Sequence, residues 1–114
     1  EVTKYHPMLS SILRPSLQPF LRSYFAYTPK EEIAKLKASC LIIQGERDMQ
    51  VTVEAAQKLD NAAQDSQLKL YPKMNHVLKD VDESDEQNLA AYTDPDFPMA
   101  KDLIKDLVSW IEEN

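Results

Sequence analysis

The sequence predicts a small α/β protein built around one strand–helix–strand unit. Residues 40–43 form a continuous apolar run, which is typical of a strand buried on both faces of a parallel sheet. Thr52 is suited to cap a helix with apolar residues at helical spacing, and the alternating residues 67–71 predict a second, half-buried strand near a sheet edge. Because the chain must cross over between them, we expect the two strands to be parallel.

The chain divides into a predicted helical, cap-like or connecting segment, residues 1–38, and an α/β segment, residues 39–114. The first segment carries large apolar side chains at spacings of three and four: Leu13, Leu17, Phe20, Leu21, Tyr24 and Phe25. This pattern predicts short helices near residues 7–13 and 17–26, with Ser16 capping the second of them. Packing in a core is one interpretation of this apolar face, and a cap that lines a substrate site is the other.

Three further stretches have recognisable local signals. Thr28 and Glu31 form the pattern of a capping box, which predicts the start of another short helix. The acidic run at residues 80–86 predicts a solvated loop, because a calcium-binding loop would need a glycine at its sixth position. The tail, residues 98–113, predicts a helix with this apolar face: Leu103, Ile104, Leu107, Val108 and Ile111.

Composition excludes several classes of function. With 114 residues the chain suffices for one small domain, and its net charge of −6 argues against a nucleic-acid binder. No apolar run approaches the ~20 residues of a membrane span. The single cysteine, Cys40, excludes an internal disulfide, and the single glycine, Gly45, excludes a phosphate loop or a dinucleotide fingerprint. We expect neither a metal nor an organic cofactor.

Two ionisable residues follow the two predicted strands. Asp48 lies just past the first strand in Gly45-Glu46-Arg47-Asp48, and His76 lies just past the second, 28 residues later. Because parallel strands end at the same edge of a sheet, this spacing brings the carboxylate and the imidazole together. A carboxylate on Nδ1–H fixes the tautomer of a histidine that acts as a general base. Spacing alone equally allows a turn-capping aspartate beside an ordinary loop histidine.

These residues resemble part of a known family. The stretch IAKLKASCLIIQGERD, residues 33–48, is similar to the approach to the acid loop of the α/β-hydrolase fold, and residues 74–76 resemble its histidine loop. Residues 88–96 resemble an insertion of bacterial esterase-like members. The resemblance implies the C-terminal part of a serine hydrolase for carboxylic esters, with Asp48 as the triad acid and His76 as its base.

The nucleophile of that family has no counterpart in this sequence. The family order places the serine before the acid. The serines before Asp48 lack flanking glycines and follow no buried strand: Ser10, Ser11, Ser16, Ser23 and Ser39. We therefore expect this chain to need the missing N-terminal half of the same protein, to be inactive alone, and to take a small ester as substrate in the complete enzyme. The alternative hypothesis is a non-catalytic interaction module that retains the scaffold.

The predicted sheet also bears on assembly. In the α/β-hydrolase fold, the strand at residues 40–44 would be interior, so this chain would leave one of its edges unpaired. An unprotected apolar edge is a template for pairing with another chain. We expect the isolated chain to self-associate, through this edge or through the helix face at residues 17–25.

Overall fold

A parallel strand pair with a crossover helix organises the fold. The computed structural model describes residues 3–114, and in it strand β1, Cys40–Gly45, pairs with strand β2, Ser66–Tyr71, in parallel. Helix α4, Val53–Ala62, connects them. Thr52 caps this helix as predicted, since its hydroxyl oxygen accepts from the Ala55 N–H at 3.3 Å. The mixed α/β character and the parallel pairing are thereby confirmed.

Short helices precede the sheet, as the sequence predicts. They are the 3₁₀ turns Pro7–Leu9 and Pro15–Leu17 and the helices α1, Ser10–Leu13, α2, Gln18–Phe25, and α3, Pro29–Ile33. The caps differ from the prediction: Ser16 lies inside a 3₁₀ turn, and the Thr28 side chain makes no capping hydrogen bond. Helix α3 packs against α4. The division at residue 38 stays a prediction, and residues 1 and 2 of its first segment lie outside the described residues.

Two helices follow the sheet; the sequence analysis did not predict the first, and the second begins later than predicted. The acidic run is only partly a loop, because helix α5, Asp85–Ala90, begins inside it and is capped by the Ser84 hydroxyl. Helix α6, Leu103–Glu113, begins five residues after the predicted start. Asp102, immediately before it, has a φ of 65°, in the left-handed region, so the helix does not extend further toward the N-terminus.

The core lies between the end of β2 and the start of α6. Its buried members are Tyr71, Met74, Ala100 and Leu103, with Ile43 and Leu107 packed against them. The Tyr71 hydroxyl donates to Asp106 Oδ2 at 2.7 Å, which holds α6 against the sheet. Burial and this carboxylate raise the pKa of Tyr71 to about 12.

Much apolar surface lies outside this core. The expectation that residues 40–43 are buried on both faces is wrong for this chain, because all four are only half-buried. The accessible surface is 8526 Å², against roughly 6,400 Å² for a compact monomer of this mass. The radius of gyration is 17.7 Å, against about 13 Å for a compact domain. One physical reason is that the sheet in the described residues contains β1 and β2 alone, so the other edge of β1 has no strand beside it.

The end of β1 is packed directly on the loop that follows β2. A Cβ added at Gly45 would overlap the Met74 carbonyl oxygen and lie 2.6 Å from its carbon. The sequence places its one glycine at this point of backbone contact. Since the obstructing atoms belong to the backbone, a side chain at position 45 requires the two segments to separate.

We predict that Gly45→Ala destabilises the chain by about 2 kcal/mol or more, because the added methyl group forces backbone atoms apart. Urea unfolding followed by circular dichroism measures the change. Ser39→Thr adds a methyl group at an exposed position just before β1 and is expected to change stability by less than about 0.5 kcal/mol. Equal stability of Gly45→Ala and wild type would show that the two segments are not in contact.

Candidate active site

Asp48 and His76 meet at the carboxyl ends of the two parallel strands. The Asp48 Oδ2 atom lies 2.9 Å from His76 Nδ1, although the residues are 28 positions apart. The sequence predicted both the shared edge and the pairing of these two side chains. The contact is within the normal length of a hydrogen bond to a carboxylate.

Backbone hydrogen bonds attach the acid loop to the segment after β2. The Glu46 N–H donates to the Tyr71 carbonyl at 3.0 Å, and the Arg47 N–H donates to the Met74 carbonyl at 3.0 Å. These two bonds continue the β1–β2 pairing past the end of β1. Asp48 is therefore positioned by backbone contacts that do not depend on its own side chain.

The carboxylate of Asp48 is held by donors on both oxygens. Its Oδ1 accepts from the backbone N–H groups of Gln50 and Val51 at 2.8 and 2.9 Å. Its Oδ2 faces His76 and also accepts from Gln44 Nε2 at 3.3 Å. Burial raises the pKa of Asp48, but the bonds from Val51, His76 and Gln50 outweigh burial and hold this pKa below its usual value. The side chain is 8% exposed and stays ionised near neutral pH.

His76 presents its second ring nitrogen to the surroundings. The side chain is 38% exposed, and no described residue from 3 to 114 hydrogen-bonds to Nε2. Contact with an ionised carboxylate assigns the proton of the neutral ring to Nδ1, which leaves the Nε2 lone pair free. The pair is thus arranged as a general base with its orienting acid.

The loop that carries His76 is a tight, strained turn. Asn75 is 1% exposed, and its Oδ1 accepts from the N–H groups of Val77 and Lys79 at 3.1 and 3.0 Å. Leu78 has a φ of 63°, a conformation that costs a residue with a Cβ on the order of 1–2 kcal/mol. The bonds to Asn75 offset this cost and hold His76 between two fixed neighbours.

Three buried amides at this site were missed by the sequence analysis. Gln44 is 6%, Asn75 1% and Asn88 4% exposed. Asn75 Nδ2 donates to Asn88 Oδ1 at 3.2 Å, and Asn88 Nδ2 donates to the Arg47 carbonyl at 2.6 Å. The sequence gives one indication for Gln44, which is the polar residue that ends the apolar run of β1. Nothing local marks Asn88, because its partners are distant in sequence.

Other candidate residues occupy structural positions. Arg47, between Glu46 and Asp48 in the acid loop, forms an ion pair with Glu83 at 3.0 Å. Cys40 is half-buried at the start of β1. Within residues 3–114 no serine hydroxyl hydrogen-bonds to His76, and no cluster of three or more potential ligands for a metal is found. In the same part of the chain no helix has the length and apolarity needed to cross a bilayer.

No family model, curated protein or solved structure matches the chain.

Because the pKa of Asp48 is lowered in the folded state, the free energy of unfolding depends on pH. A carboxyl group whose pKa is lower in the folded state stabilises above its unfolded pKa, and this contribution disappears as the pH falls through the folded value. We predict that Asp48→Asn lowers the free energy of unfolding at pH 7 by about 1–3 kcal/mol, the usual loss for hydrogen bonds to a charged group. The difference from wild type narrows below about pH 4.

Urea unfolding at pH 7, 5 and 3 tests this expectation. Asp96→Asn removes one exposed carboxylate without a described side-chain hydrogen bond and serves as the control for net charge. A difference between wild type and Asp48→Asn that stays constant from pH 7 to pH 3 would contradict the assigned ionisation of Asp48.

Proposed function

We propose that this chain is the C-terminal portion of a serine hydrolase of the α/β-hydrolase fold, acting on carboxylic esters or related acyl substrates. The supporting observation is the 2.9 Å contact between Asp48 Oδ2 and His76 Nδ1, with Nε2 unpaired among the described residues. The contact lies at the carboxyl ends of parallel strands, which is where open α/β sheets place their ligand-binding sites. In this proposal Asp48 is the triad acid and His76 the triad base.

The chemistry follows from the two ring nitrogens. His76 Nε2 accepts the proton of a serine hydroxyl as its oxygen forms a bond to the carbonyl carbon of the ester. The proton then passes to the departing alkoxide, the acyl-enzyme is hydrolysed by water, and the ring returns to neutral. Asp48 stabilises the imidazolium that exists between these transfers. The scheme uses no metal and no organic cofactor.

The serine is proposed to come from an N-terminal half of the same protein. Two features support this: residues 40–43 are half-buried although they form an apolar strand, and the helix face of α6 has Ile104, Val108 and Ile111 at 56%, 49% and 66% exposure. In an α/β-hydrolase fold, further strands and helices would cover both surfaces. The ester would bind between the two halves, close to Nε2.

A non-catalytic interaction module is the second candidate. The observation that favours it is the lack of a serine at His76 in residues 3–114. The reading frame upstream of Glu1 separates the two candidates. A strand followed by Gly-x-Ser-x-Gly supports the hydrolase, and a start codon directly before residue 1 supports the module.

We predict that the 114-residue chain hydrolyses no short p-nitrophenyl ester above a heat-treated control, because it holds a base and its orienter without a nucleophile. In the longer chain that includes the upstream serine, His76→Ala should lower kcat/KM for p-nitrophenyl acetate by about 10³-fold or more. His6→Ala is the control, because the ring of His6 caps a 3₁₀ turn, where its Nδ1 accepts from the Met8 N–H. Equal activity of the two variants would exclude His76 as the base.

We further propose that the isolated chain self-associates. The aromatic residues of α2 are open to solvent, with Phe20 at 61%, Tyr24 at 67% and Phe25 at 76% exposure. One edge of β1 also has no strand beside it in the described residues, since the sheet contains β1 and β2 alone. Two strands form a stable sheet only with additional packing. A symmetric dimer would cover one of these surfaces.

Sedimentation equilibrium at low micromolar concentration is predicted to give a mass above 13.1 kDa. Phe20→Glu should restore the monomer if α2 forms the interface, and should leave the mass unchanged if the β1 edge forms it. Arg22→Glu changes the charge of the same helix without removing apolar surface and is the matched control. A well-folded wild-type monomer would contradict self-association.

A further inference from the structure

A pair of buried amides connects the two loops of the candidate site. Asn75 directly precedes His76, and Asn88 on α5 donates to the carbonyl of Arg47, which directly precedes Asp48. The path from one loop to the other therefore contains two hydrogen bonds, of 3.2 and 2.6 Å. Each amide is almost fully buried, at 1% and 4% exposure.

Each polar side-chain atom of this pair has a hydrogen-bond partner. The Oδ1 atom of Asn75 accepts from two backbone N–H groups of the His76 loop, while its Nδ2 is directed at Asn88. In the described residues, every buried side-chain nitrogen and oxygen has a partner. An apolar pair of the same size would fill this volume without the cost of burying amides. Amides add direction: a donor must face the Arg47 carbonyl and an acceptor must face Asn75.

The segment just after α5 contacts the acid loop at a second point. Gln50 Nε2 donates to the Tyr92 hydroxyl, just beyond α5, at 3.0 Å. The acid loop thus lies between β1 and the α5 region. Asn88 alone, however, connects to both loops through side-chain hydrogen bonds in residues 3–114.

We propose that Asn88 is a positioning residue, which acts through Asn75 and the Arg47 carbonyl to keep Asp48 and His76 in hydrogen-bonding register. The inference rests on the proposed function for the role of the pair, but it concerns the geometry of the Asp48–His76 bond and not hydrolysis. Without the amide connection, the backbone bonds between the loops and the donors to the Asp48 carboxylate remain. The Arg47 carbonyl and the Asn75 side chain then lose the shared partner that fixes their relative position, so the distance between Asp48 Oδ2 and His76 Nδ1 is held less tightly. His76 would then lose the preference for the Nδ1–H tautomer that this bond imposes.

The experiment measures that tautomer by ¹⁵N NMR of the imidazole in the 114-residue chain, at a pH chosen so that the ¹⁵N shifts themselves report a neutral ring. A His6→Gln background leaves His76 as the only histidine. Asn88→Leu keeps the size of the side chain and removes both hydrogen bonds. We expect it to lower the Nδ1–H population of His76 about twofold or more.

The matched control is Tyr71→Phe, which removes another partly buried hydrogen bond, to Asp106. This control is expected to reduce thermal stability and leave the tautomer unchanged. A folded Asn88→Leu protein with the wild-type Nδ1–H population would overturn the proposal, since a merely structural amide changes stability alone.

Asn88→Asp is the second variant, in case Asn88→Leu does not fold. It keeps an acceptor for Asn75 Nδ2 and loses the donor to the Arg47 carbonyl. A loss of Nδ1–H in this variant supports the proposal, and an unchanged tautomer overturns it. Unfolding of both variants also overturns it, because Asn88 would then be required for the fold as a whole. An upstream sequence without a serine would defeat the proposed hydrolase and leave the tautomer result intact.

Discussion

The contact between Gly45 and the Met74 carbonyl brings together two loops that are linked along the chain only through a helix and a strand. A side chain at position 45 would collide with that carbonyl. Because position 45 is a glycine, the two segments can lie in contact, and the same Met74 carbonyl accepts from the N–H of Arg47 at 3.0 Å. Arg47 lies one residue before Asp48. Met74 in turn lies two residues before His76. The 2.9 Å distance between the carboxylate and the imidazole thus depends first on the backbone and only then on the side chains.

Local signals predicted the parts of the fold that short segments determine. Thr52 and the apolar spacing after it placed α4 correctly, and the Asp48–His76 pairing followed from the topology of a strand–helix–strand unit. The later start of α6 was missed, because the left-handed conformation of Asp102 reflects the course of the preceding loop and not helix propensity. Asn88 was missed for a related reason: its partners, Asn75 and Arg47, are brought to it by tertiary structure.

The half-buried state of β1 illustrates another limit of sequence patterns. A continuous apolar run predicts that both faces of a strand are covered, but it does not say which segment covers them. In residues 3–114 the apolar run of β1 is only half-buried, and its free edge has no strand beside it. The helices α2 and α6 also expose apolar side chains that a neighbouring layer could cover. The pattern therefore describes an environment that these residues alone do not provide. The proposed N-terminal half would provide it together with the nucleophile, whereas an interaction module would provide it through a partner.

Neutral amides are better suited than charges to hold an acid–histidine pair in place. The ion pair between Arg47 and Glu83 also fastens the acid loop, but Glu83 is 90% exposed, and such pairs contribute about 0–1 kcal/mol. A charge buried near Asp48 would change the ionisation that makes it useful to His76. The amides of Asn75 and Asn88 carry no net charge, yet their hydrogen bonds are directional and shielded from water. They can therefore fix the distance between the loops, while the bonds from Val51, His76 and Gln50 keep Asp48 ionised.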